Sequence, residues 1–114
     1  FLRGSSVVKL TVIYNLVPGA DHDEFVRWRT TEHHAENMSM PGIIKSDFYI
    51  IKEGWPDKQT PYRYMTEAYW PDMDTFREVF FESDFQERLK ESMKTIGEIV
   101  FLISEEVLTD VKEN

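Results

Sequence analysis

The sequence predicts an α+β fold in which four antiparallel strands and two helices follow one another as β-α-β-β-α-β. Three observations lead there. Residues 7–17, 43–52 and 62–70 alternate their side chains with a period of two, and residues 98–108 form a further apolar run. Asp21 and Asp72 each stand just ahead of an apolar stripe with helical spacing. Pro18-Gly19, Pro41-Gly42 and the turn-rich residues 53–61 punctuate the segments.

Residues 7–17, VVKLTVIYNLV, read as the first strand, with Val8, Leu10, Val12 and Tyr14 on one face and Lys9, Thr11, Ile13 and Asn15 on the other. The first face is wholly apolar and suits helices, whereas the second is mixed. After Pro18-Gly19, Asp21 caps the first helix and Glu24 completes a capping box, with Phe25 and Trp28 in its buried stripe. This helix is expected to run to about Met38, where Pro41-Gly42 stops the chain. Residues 43–52 and 62–70 then form an antiparallel pair. Asp72 caps the second helix, whose stripe is Met73, Phe76, Val79 and Phe80. Ser83-Asp84 marks a break and a fresh cap, and Phe85, Leu89 and Met93 continue the helical pattern. Residues 98–108 close the order as the fourth strand.

This is the ferredoxin-like split unit, a four-stranded antiparallel sheet with both helices on one face. The other face carries Ile13, Tyr49, Ile51, Met65 and Tyr69 with nothing from the chain to cover it. Apolar groups so placed predict a partner surface, most simply a second copy related by a two-fold axis. Two sheets face to face would form a dimeric α/β barrel with a cavity between them.

The 114 residues suffice for one domain, expected over 7–109. The first six, FLRGSS, are expected to be a disordered leader or an expression remnant, and residues 110–114 a loose tail. A net charge of −8 disfavours nucleic acid and anionic membrane surfaces. The sequence holds no cysteine, which excludes disulfides, thiolate nucleophiles and Cys-ligated metals. No apolar run approaches the roughly 18 residues of a spanning helix, so the cytoplasm is the expected location.

Phe25, Trp28, His33 and Pro41-Gly42 carry a spacing that resembles EthD-like members of the dimeric α/β-barrel superfamily. Glu67-Ala68-Tyr69-Trp70, followed by Met73 and Phe76, resembles a second block of that family. Family members often have a proline two residues after the histidine, where this chain has Ala35. The resemblance implies a homodimer and a small-molecule cavity. It also implies chemistry of the isomerase, cyclase or monooxygenase kind without metal or cofactor, or a non-catalytic accessory or stress-response dimer that binds a ligand.

His33 is the candidate acid/base, because imidazole titrates near neutral pH. His34 is its immediate neighbour. Helical neighbours point about 100° apart, so only one of the two can aim where the family histidine aims. Adjacent histidines on a helix are poorly spaced to chelate one metal ion. The candidate substrate-binding groups are His34 and, sharing the uncovered sheet face, Tyr49, Glu67 and Tyr69. Lys9 can pair with Glu67 where the first and third strands are neighbours. The expected ligand is a small hydrophobic molecule.

Overall fold

Side-chain alternation sorts the sheet into two unlike faces. The structure, a computed structural model, describes residues 6–113. Of the expected leader only Ser6 lies within that range, and the last residue of the expected tail lies outside it. Strands β1 (Val8–Leu16), β2 (Lys45–Ile50), β3 (Tyr64–Trp70) and β4 (Ile96–Glu105) form one antiparallel sheet in the order β2-β3-β1-β4. The ferredoxin-like topology expected from the sequence is the one observed.

The first expected helix is divided in two, and the second breaks near Ser83-Asp84 as expected. The first is α1 (His22–Thr30) and α2 (Glu32–Met38), and the second is α3 (Met73–Phe80) and α4 (Ser83–Ser92). The α1–α2 break falls at Thr31, where φ is −119° and ψ −93°. Two consecutive threonines explain it. Thr30 Oγ1 donates to the Val26 carbonyl at 2.7 Å and Thr31 Oγ1 to that of Arg27 at 2.6 Å. Such bonds compete with the helical ladder. Asp21 caps α1 by accepting from the Glu24 backbone N–H at 3.0 Å. Glu24 does not close the expected capping box; its carboxylate turns to Arg27 at 2.9 Å. The fresh cap before α4 is Glu82, one residue earlier than the Ser83-Asp84 expected, accepting from the backbones of Asp84 and Phe85.

The helices pack on the face made by Val8, Leu10, Val12 and Tyr14 of β1 with Tyr64, Ala68 and Trp70 of β3. Trp70 (1% exposed) and Phe76 (0%) meet edge to face with centroids 5.2 Å apart. Trp70 Nε1 also donates to the Pro41 carbonyl at 3.2 Å, tying the end of β3 to the turn before β2.

The opposite face is not covered by the helices. Tyr49 and Leu102 there are 43% and 49% exposed. Its centre is polar and internally paired. Glu67 Oε2 lies 3.1 Å from Lys9 Nζ and accepts from Thr11 Oγ1 at 3.5 Å, and Tyr69 donates to Oε1 at 3.5 Å. Lys45 and Tyr49 both reach Asp47, at 3.4 and 3.3 Å. Cross-strand partners Ile13, Met65 and Val100 flank these pairs.

Gly42 is fixed twice over. Its φ is +75°, and a Cβ there would stand 2.5 Å from Thr75 Cγ2. Gly19 shares the positive φ, at +86°, but a Cβ there would meet nothing within 4 Å. Gly42→Ala is therefore expected to lose more than about 1 kcal/mol in urea unfolding and Gly19→Ala less. Equal losses would contradict this placement of α3 against the turn.

Candidate functional site

A cavity lies between the inward face of the sheet and the helices. It has an inner chamber of about 110 Å³ that opens into an outer groove of about 770 Å³. Phe25, Trp28, His33, Asn37 and Leu89 line both. Tyr14 of β1, Thr66 of β3 and Arg29 of α1 line only the inner chamber. The walls are otherwise mainly apolar, with a few convergent polar groups, as ligand sites commonly are.

Local folding places each polar group. The Thr31 break turns α2 so that the His33 ring stacks on Trp28, with centroids 4.3 Å apart and planes 21° apart. Glu36, one turn on in the same helix, holds His33 Nδ1 at 3.3 Å. Burial, and then the positive charge of Arg29, push the His33 pKa below its ordinary value; Glu36 opposes both only in part. His33 is thus neutral at pH 7 and can accept a proton.

Arg29 lies four residues after Phe25, on the same buried face of α1. It is 2% exposed. Nη2 donates to Thr66 Oγ1 at 3.3 Å, and the guanidinium sits 4.8 Å from the Phe48 ring centroid. The β1–β3 register sets Val12 opposite Thr66, which brings the Tyr14 hydroxyl to 3.2 Å from Thr66 Oγ1. Burial raises the Tyr14 pKa, so its phenol stays protonated at neutral pH. Arg29, Thr66 and Tyr14 form one buried polar cluster.

The structure separates the residues that the sequence groups together. His33 lines the cavity and His34 lines neither part of it. Tyr49, Glu67 and Tyr69 stand on the far face of the sheet, where Glu67 pairs with Lys9, Thr11 and Tyr69 and Tyr49 with Asp47. The chamber lies under the helices and not between two sheets. Tyr14, Arg29, Thr66 and Asn37 complete it. Their sequence signal is positional: Tyr14 and Thr66 are hydroxyls in the inward register of their strands, and Arg29 is a charge within a buried stripe. Among the described residues, no three His, Asp or Glu side chains converge as a metal site. No helix of the described residues is long and apolar enough to cross a membrane.

The family model for the REDY-like protein HapK matches residues 8–107. No curated protein matches. Among solved structures, an EthD family protein from Bacillus halodurans superposes with a TM-score of 0.71 at 24% identity, covering 89% of this chain and 99% of its own. SnoaB, a cofactor-independent oxygenase from Streptomyces nogalater, gives 0.66 at 14% identity, covering 92% of this chain and 97% of its own. A dimeric ferredoxin-like protein from Thermobifida fusca gives 0.65 at 11%, covering 92% and 95%. At these identities the likeness is one of fold.

The electrostatics of the chamber are open to measurement. By nuclear magnetic resonance, the His33 ring is expected to titrate below the free value of about 6.5. Arg29→Met should move that midpoint upward, because it removes a facing positive charge. A wild-type midpoint at or above the free value would contradict the burial described here.

Proposed function

Because this chain belongs to the REDY-like HapK family, we propose that it is a small enzyme that works without a cofactor on a hydrophobic molecule held between the helices and the sheet. The observation that carries this reading is a neutral imidazole, His33, in the wall of a largely apolar cavity, stacked on Trp28 and held by Glu36. His33 removes a proton from the substrate and returns it at a second position, which serves isomerisation, cyclisation or the activation of a substrate toward oxygen. Trp28 and Phe25 hold the apolar body. Tyr14, protonated and buried, donates a hydrogen bond to a substrate oxygen.

The reading is supported by a fold relative, SnoaB, that is a cofactor-independent oxygenase. It is tested by a thermal-shift screen for ligands, followed by turnover assays on those that bind. His33→Ala is expected to lower kcat by about 10²–10⁴-fold with little change in binding, and His34→Ala to leave kcat unaltered. In the wild type, kcat/KM should hold through the free imidazole value of about 6.5 and fall only at lower pH, where His33, with its depressed pKa, becomes protonated. Ligand binding with full turnover in His33→Ala would remove the catalytic role. Binding with no turnover of any ligand would leave a carrier.

The proposed enzyme is a homodimer. Ile13, Met65, Val100 and Leu102 meet their counterparts across a two-fold axis, and the neighbouring charges are already neutralised by Lys9–Glu67 and Lys45–Asp47 pairs. A fold relative is dimeric. Sedimentation at micromolar concentration is expected to give a dimer, and Leu102→Asp a monomer. A wild-type monomer would contradict the pairing of the two sheets.

A further inference from the structure

Arg29 has a charge that the protein does not answer. The side chain is 98% buried by its 2% exposure, and Nη1 has no hydrogen-bond partner among the described residues. No carboxylate of the described residues pairs with it; its neighbours are the Thr66 hydroxyl, the Tyr14 phenol and the face of Phe48. A guanidinium offers five donors in a planar fork suited to paired oxygen acceptors. A buried charge is normally paired, and a buried donor normally has an acceptor. The exception here lines the inner end of the ligand cavity.

We propose that Arg29 makes the inner chamber a receptor for an anionic oxygen. The ligand is then an amphipathic molecule whose ionised head, a carboxylate, phenolate or enolate, lies against Arg29 while its apolar body extends into the outer groove. The sizes agree. A chamber of about 110 Å³ takes a head smaller than a benzene ring, for which a cavity of about 150 Å³ suffices, and the 770 Å³ groove takes the rest. The titratable groups facing this chamber besides Arg29 are Tyr14 from β1 and His33 from α2; α4 contributes Phe85, Leu89 and Ser92 to it and no charge, whereas Asp21, Glu24, Glu36 and Glu91, with Arg27 and Arg88, face the outer groove. A neutral phenol and a neutral imidazole do not repel an anion.

This inference rests on the cavity being the ligand site and deepens the function proposed for it. When His33 takes a proton from a substrate O–H or C–H bond, the bonding electron pair stays with the substrate as phenolate or enolate. The new negative charge falls on an oxygen that Arg29 can bind, with Tyr14 as a further donor. The same guanidinium that weakens His33 as a base stabilises the anion which that base creates.

The probes are benzoate, 4-nitrophenol and the neutral benzyl alcohol, each measured by calorimetry against wild type, Arg29→Met and Arg29→Lys. Benzoate is expected to bind wild type at least tenfold more tightly than benzyl alcohol, and Arg29→Met should abolish that preference while still binding benzyl alcohol. Arg29→Lys should retain part of it. Bound 4-nitrophenol should show the yellow phenolate band at a pH below its free pKa in wild type and not in Arg29→Met. Benzoate preference without phenolate stabilisation assigns the head as a carboxylate; both together extend it to ionised phenols and enols. Equal binding of charged and neutral probes to wild type, or an unchanged preference in Arg29→Met, would overturn the proposal. These readouts are independent of turnover, so loss of the catalytic role of His33 would leave them standing.

Discussion

The two-residue period of the paired strands β1 and β3 governs the whole molecule. Their register sets Leu10 opposite Ala68, Val12 opposite Thr66 and Tyr14 opposite Tyr64 on one face, and Lys9, Thr11 and Ile13 opposite Tyr69, Glu67 and Met65 on the other. A slip of one residue would exchange the two sets. The first face holds the aromatic core and the cavity. The second holds charges that neutralise one another and apolar groups that no helix covers. Core, cavity and uncovered face are three consequences of one pairing.

On the inward face, packing and polarity compete. Val8, Trp70 and Phe76 are fully enclosed, while Tyr14, Thr66 and Arg29 bring hydroxyls and a permanent charge into the same layer. Removing a charged group from water costs on the order of several kcal/mol after relaxation. Thr66 and the face of Phe48 offset part of that cost. An apolar side chain of similar volume at this position would avoid that cost.

Much of the fold is legible in the sequence because it depends on period and punctuation. Val8, Leu10, Val12 and Tyr14 declare a buried strand face, Asp21 and Asp72 declare helix starts, and Phe76 and Phe80 declare a helix stripe. The break at Thr31 is less legible, since it arises from two hydroxyls that capture carbonyls of the preceding turn. That break decides that His33 and not His34 meets Trp28 and the cavity. The site is harder to read because its parts come from separate elements and disguise themselves: Arg29 looks like a surface charge until its spacing from Phe25 is weighed, and Thr66 looks like an ordinary strand residue. Glu67 and Tyr69 are conspicuous in sequence and lie on the uncovered face where the alternation puts them, but the cavity lies on the other face.

The central claim is that ligand chemistry takes place under the helices, on the His33 side of the sheet. Amide and methyl chemical-shift mapping with a bound aromatic ligand tests it most directly. The expected result is a set of perturbations at Trp28, Arg29, His33 and Thr66, with Tyr49, Glu67 and Tyr69 unmoved. Perturbations confined to Tyr49, Glu67 and Tyr69 would place the ligand on the far face and contradict it.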